Sequence, residues 1–192
     1  RPVARAGPAA APRAAGRPIA AMGPSPTALD PVGHPLSVAL SIDKRTARYT
    51  GKGNHAHDVG AVRADAPVPP DAPVFYFEVV VVRAHLDQCG LAVGFADRTF
   101  DLNRQPGREA NSYAYFGADG RKYAASDAGA PYGDPFCEGD VIGAGMRGDD
   151  GAIFFCRNGA HLGDAFAREG GGALFPVVAL HVQGEELRVN FG

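Results

Sequence analysis

From residue 36 onward the apolar positions fall in short runs separated by Gly, Pro, Asp and Asn. LSVALSI (36–42) alternates apolar and small polar positions, the period of a strand with one covered face. VFYFEVVVVR (74–83) is β-branched and aromatic along most of its length. CGLAVGFA (89–96), SYAYFG (112–117), DVIGAGMR (140–147), AIFFCRNG (152–159), LFPVVALHV (174–182) and ELRVNFG (186–192) have the same character. No window sustains a 3.6-residue apolar period with caps, so the predicted elements are strands. Many short strands without intervening helices predict an all-β, two-sheet antiparallel β-sandwich rather than βαβ units. The run at 74–83 predicts a strand covered on both faces or at the centre of the sandwich. Tight turns are predicted at Gly117–Gly120, Gly148–Gly151 and Asn158-Gly159, the last a two-residue hairpin that needs positive φ.

Composition divides the chain. Residues 1–35 hold 10 Ala, 8 Pro and 4 Gly, with four Arg against Asp30 alone, and show no period of either kind. Such a stretch buries too little apolar surface to order itself, so it predicts a disordered tail or linker. Its Arg content also fits an organelle transit peptide, but Ser25 is its only Ser. Residues 36–192 form the predicted domain, with a net charge of -5. Overall the chain carries -2, which argues against a general binder of nucleic acid or acidic membrane, and it has no apolar run of spanning length. Three cysteines without a C-x-x-C spacing argue against a disulfide scaffold or a structural zinc site and fit a reducing cytosolic or nuclear compartment.

Candidate chemistry is sparse. Gly143-Ala-Gly145-Met-Arg-Gly148 has the spacing of a dinucleotide fingerprint. That fingerprint works only where its third glycine opens a helix, and here a turn of two acids and a strand follow. A hairpin is therefore predicted. His55-Ala-His57-Asp58 can start a metal site, but further ligands must come from elsewhere; a polar loop explains the same residues. No nucleophile stands in a known pattern with a base, so no catalytic residue and no cofactor is predicted. Cys156, within an apolar run, reads as a small buried hydrophobe. Tyr113 and Tyr115 share one face of their strand and read as core. The polar segment 101–109, with Arg104 and Arg108, is the kind of loop that binds partners from a rigid frame.

Taken in order, these pieces resemble a SPRY domain of the Ran-binding protein M type. The resemblance rests on Tyr49-Thr-Gly-Lys-Gly-Asn-His55, Val62-Arg63, Phe75-Tyr-Phe-Glu-Val79 and Leu91-Ala-Val-Gly94. It continues through Asn103-Arg-Gln-Pro-Gly107, Ser112-Tyr-Ala-Tyr115, Gly117-Ala-Asp-Gly120, Tyr132-Gly133 and Gly139-Asp-Val-Ile-Gly143. It closes with Ile153-Phe-Phe-Cys-Arg-Asn-Gly159, Leu162-Gly163, Phe175-Pro176 and Val189-Asn-Phe-Gly192, so it covers residues 36–192. The family implies a bent, concanavalin-like sandwich and a non-catalytic module that recognises a short peptide or partner surface. Carried over, the recognition edge comprises Arg63 and Asp65; Leu102, Asn103 and Arg104; and His181, Val182 and Gln183. Relatives of this type are scaffolding or substrate-adaptor subunits of the CTLH (GID) ubiquitin ligase, which implies a protein or peptide partner and ligase subunits as further partners. This chain departs from the pattern at Arg108, where close relatives have Trp, at Ala114, where Gly is usual, and at His181–Gln183, where an aromatic is common. It has no Trp at all. A second reading is a carbohydrate-binding sandwich using Asp119, Tyr132 and Asn158, and a third is a nucleotide-using enzyme at Gly143–Gly148.

Overall fold

The computed structural model describes residues 23–55, 57–85, 89–168 and 172–192. Thirteen strands follow one another, with no helix among the described residues. They are β1 (Val38–Leu40), β2 (Thr46–Tyr49), β3 (Gly60–Arg63), β4 (Val74–Arg83), β5 (Ala92–Ala96), β6 (Ser112–Phe116) and β7 (Arg121–Ala124). Next come β8 (Ala130–Pro131), β9 (Val141–Arg147), β10 (Ile153–Arg157), β11 (Ala160–Phe166), β12 (Phe175–Leu180) and β13 (Glu186–Asn190). They build a seven-stranded sheet, β1-β2-β13-β4-β9-β10-β11, and a six-stranded sheet, β3-β12-β5-β6-β7-β8, with antiparallel pairing throughout. The sandwich predicted from the apolar pattern is the fold observed.

Alternation explains the core. Phe75, Phe77, Val79 and Val81 point inward from β4 and meet Val93, Phe95 and Tyr115 of the other sheet. Phe77 and Phe95 pack edge to face at 5.7 Å between centroids. β4 is indeed central in its sheet, but it is buried on one face only: Val74, Tyr76, Val80 and Val82 point to the outer side of the sandwich, where no strand among the described residues lies over them, and are partly exposed. Close strand approach limits side chains elsewhere. A Cβ at Gly94 on β5 would run into the Tyr113 carbonyl and Ala114 backbone of β6.

The ordered sandwich starts before residue 36. Leu29 is buried in the core and bridges Ala64, and its N–H bonds the Lys44 carbonyl at 2.8 Å. Leu29 thus packs with the sandwich although it precedes residue 36, and its sequence does not show this because one apolar side chain in a polar, Pro-rich setting carries no period. Residues 1–22 lie outside the described residues. The hairpin at Asn158-Gly159 has the expected positive φ values of 51° and 80°. At its base Asp140 is nearly buried and accepts from the Cys137 N–H at 2.9 Å, Asn158 Nδ2 at 2.7 Å and Arg157 at 3.0 Å. Burial pushes its carboxyl up, and these three donors outweigh that and hold it below its ordinary value.

Where the register of β11 against β10 shifts, side chains from the facing layer complete the bonding, and the Tyr132 hydroxyl accepts from the Phe155 N–H of β10 at 3.0 Å. Tyr132 donates its hydroxyl to the Gly163 carbonyl at 2.6 Å, and Lys122 donates to the Ala165 carbonyl at 2.5 Å.

Candidate binding site

The outer face of the six-stranded sheet is paved with small residues. Ala61, Ala92, Ala114 and Ala179 are fully buried there, because the segment between β5 and β6 lies across them. Phe100 and Leu102 supply its apolar underside, and the Ala61 N–H bonds the Leu102 carbonyl at 2.8 Å. Leu102 is thus an anchor of the loop, not a contact residue: its side chain is buried in this second cluster. Asp101 then accepts from the N–H of Asn103 at 2.9 Å and its side-chain amide at 3.0 Å, a local turn that lifts Asn103 and Arg104 into solvent. The same bonds lower the Asp101 carboxyl.

Three loops converge beside this turn. Arg104 reaches His57 Nδ1 at 3.3 Å, and Gln105 donates its amide to the Gly90 carbonyl at 3.3 Å. His181 Nε2 lies 2.8 Å from the His55 carbonyl. Between them is a cavity of about 420 Å³ lined by His57, Gly90, Asn103, Arg104, Gln105 and His181, among others. Arg104 has no carboxylate partner among the described residues, and the Gln105 side-chain oxygen is buried without a hydrogen-bond partner. Cys89 also lines the cavity; burial pushes its thiol up to about 12, so it stays protonated and is no nucleophile at neutral pH.

The turn that carries His181, Val182 and Gln183 is clasped from below. Glu185 is fully buried and accepts from the N–H groups of Gly90 at 2.5 Å, His181 at 2.9 Å and Val182 at 2.9 Å. Burial raises its carboxyl above the ordinary value, against the pull of those donors. Val182 is half-buried, whereas Gln183 is exposed, with its carbonyl 3.2 Å from His85 Nε2.

Arg63 and Asp65 stand apart from this cavity. His181 follows Leu180, which pairs with Gly60 at the start of β3, while Arg63 ends that strand about 10 Å away. The Arg63 guanidinium lies 5.6 Å over the Phe175 ring and donates to the Arg98 carbonyl. Asp65 is taken up by the N-terminal segment, accepting from the Thr27 N–H at 2.9 Å and the Thr27 hydroxyl at 2.7 Å. The loop that takes their expected place is 50–58, with His55 and His57. In the sequence its His55-Ala-His57-Asp58 spacing points only to the start of a metal site or to a polar loop, not to partner binding. Asp58 accepts from the N–H groups of Asn54 and His55, so the loop is held by its own acid. No cluster of three His, Cys, Asp or Glu able to hold a metal occurs among the described residues.

Other sequence features resolve into packing. Gly143 and Gly145 lie in β9 and give room to the Tyr76 and Phe154 rings, which a Cβ at either position would strike. No helix follows them. Tyr115 is fully buried and Tyr113 packs partly buried against the core. Arg108 lies over the rings of Phe116 and Tyr123, at 5.8 and 5.4 Å, and pairs with Asp127 at 3.3 Å. Asp119, Tyr132 and Asn158 spend their polar atoms within the fold, on Tyr123, Gly163 and Asp140.

Residues 74–192 match the family model described as the SPRY domain. Among curated proteins, the chain is 39% identical over 155 residues to "Ran-binding protein M homolog" of Arabidopsis thaliana, covering 81% of this chain and 33% of that protein. It is 36% identical over 155 residues to "Ran-binding protein 9" of Homo sapiens, covering 81% and 21%. The chain therefore spans a third or less of the length of these relatives. Among solved structures, a human SPRY domain superposes with a TM-score of 0.69 at 29% identity, covering 81% of this chain and 96% of that one. The SPRY domain of human HERC1 shares the fold, with a TM-score of 0.67 at 18% identity, covering 84% and 96%.

Proposed function

The chain belongs to the SPRY domain family, and from that premise we propose that it is a non-catalytic module that captures a short peptide or partner loop in the cavity beside Arg104. One observation carries the reading: three separate loops meet around a hollow that holds a guanidinium with no carboxylate partner among the described residues and an unpartnered amide oxygen. Such groups are satisfied by a ligand that brings a carboxylate and an N–H donor. Asn103, Arg104, His181 and Gln183 are the contact residues in this reading, with His57 and Gln105 added. Arg63, Asp65 and Leu102 support the fold around it.

The finer assignment is a scaffolding or substrate-adaptor subunit of a CTLH (GID) type ubiquitin ligase, acting in the cytoplasm or nucleus. The likeness to Ran-binding protein M and 9 homologues supports it. Selection of a random peptide library on the 192-residue chain tests the module. Enriched peptides with a shared acidic position that lose binding to Arg104→Glu uphold it, and peptides indifferent to Arg104→Glu and His181→Ala refute it. Co-purification of the tagged parent protein with ligase subunits tests the finer assignment separately.

A further inference from the structure

One margin of the sandwich holds a hollow between its layers. β6, β7 and β8 end the six-stranded sheet there, and β11 ends the seven-stranded one. Antiparallel pairing sets Tyr113 opposite Ala124 and Tyr115 opposite Lys122, so these four side chains share the inner face. Small residues at Ala124, Ala130 and Ala165 leave a slot of about 410 Å³, walled by Tyr113 and Phe166, whose ring centroids are 5.3 Å apart. The slot shares no lining residue with the loop cavity beside Arg104.

Lys122 is the only charged side chain that lines this slot among the described residues. Its ammonium is fixed from three sides. It donates to the Ala165 carbonyl at 2.5 Å and lies over the rings of Tyr132 and Phe166, 5.4 and 5.5 Å from their centroids. The rings attract the charge, but an ammonium carries three donors, and the Ala165 carbonyl meets one of them. No carboxylate pairs with Lys122 among the described residues. A half-buried cation already held in place loses little freedom when an anion joins it.

An aromatic-walled apolar hollow of this volume, with a single convergent charge, has the make-up of a small-molecule site. We propose that the slot binds a small carboxylic acid bearing a ring, its carboxylate on the Lys122 ammonium and its ring against Tyr113 and Phe166. The cation selects the acid by charge, and the three alanines set the room for one ring.

Titration of the isotope-labelled 192-residue chain with phenylacetate to ~10 mM, followed by NMR, tests this. Saturable shifts at Ala124, Ala130, Ala165 and Phe166 are expected, with a Kd of about 1 mM or lower. Phenylacetamide has the same shape without the charge and is expected to bind at least ~10-fold more weakly, as is phenylacetate to Lys122→Met. Ala130→Leu fills the slot from an exposed position, so it is expected to abolish binding with the melting temperature unchanged. Equal affinity for acid and amide overturns the proposal, as does silence at the highest concentration or binding that survives Ala130→Leu. Shifts that centre on Arg104 and vanish in Arg104→Glu also sink it, since they put the acid in the loop cavity. Capture of a peptide ending in Phe, with no binding of the free acid, rejects the small-molecule occupant. The slot and the loop cavity have no residue in common, so peptide capture beside Arg104 stands or falls separately.

Discussion

Glu185 offers the sharpest test of how the binding loops are held. Its buried carboxylate accepts three backbone N–H groups, from Gly90, His181 and Val182. Glu185→Ala removes every acceptor at once. An unmet buried donor costs about 1–3 kcal/mol. Gly90, His181 and Val182 are only half-buried, so water recovers part of that, and loss of a buried charge recovers more. A net loss of about 3 kcal/mol results, which lowers the melting temperature by about 6–12 °C in a domain of this size. Hydrogen exchange then shows lost protection at Gly90, His181 and Val182 before any other amides. Glu185→Gln behaves differently. The amide keeps one acceptor oxygen but turns its NH2 toward the donors served by the other, so it leaves fewer N–H groups unmet than alanine and costs about 1–3 kcal/mol. The sign is fixed by linkage. A folded pKa above the ordinary 4.5 gives stability that is fully present below that value and is lost as pH rises through the folded pKa. Wild type therefore loses ground to Glu185→Gln as pH rises through that window. An alanine variant that melts within 2 °C of wild type, with the three amides still protected, refutes the clasp.

Arg104→Glu abolishes partner capture while shifting the melting temperature by no more than about 1 °C, since the side chain is exposed; calorimetry and a binding titration on one sample decide it. Gly94→Ala forces its Cβ into the β6 backbone, so it costs about 3 kcal/mol or more and yields little soluble protein, measured by urea denaturation. Phe77→Ala costs about 3–5 kcal/mol, and Phe154→Ala costs about half as much, because Phe154 stacks on Tyr76 on the outer face; paired denaturation curves separate them. Asp140 is held below its ordinary pKa, so its contribution is present above pH 3.8 and is lost as pH falls through the folded value; Asp140→Asn flattens that acid limb in a pH series of melts.

The sandwich was readable because its central strands write their burial into the sequence. Phe75, Phe77, Val79 and Val81 alternate with the outward residues of β4, and Val93, Phe95 and Tyr115 oppose them. Strands with little to bury were not readable. β7 (RKYA) and β11 (AHLGDAF) have mixed polar and small residues, and tertiary pairing alone makes them strands. The candidate site divides in the same way. Arg104 and His181 stand in loops flanking apolar strands, so their place at a loop edge could be inferred. His57 and Glu185 could not be, since their roles depend on which loops meet across the sheet. Arg63 and Asp65 are expected at the binding edge only through the family resemblance, which carries no information on their neighbours in this fold. Phe175 and Thr27, distant in sequence, claim them instead.

Tyr132 ties one sheet to the margin of the other. Its hydroxyl accepts from the Phe155 N–H of β10 and donates to the Gly163 carbonyl of β11, so it stands as a rung where the register of those two strands shifts. Tyr132 itself follows β8, the end strand of the six-stranded sheet. The end strand of one layer is therefore riveted through the end of the other, and the two margins fray together: removing that single hydroxyl loosens β11 and the chain after β8 in one step.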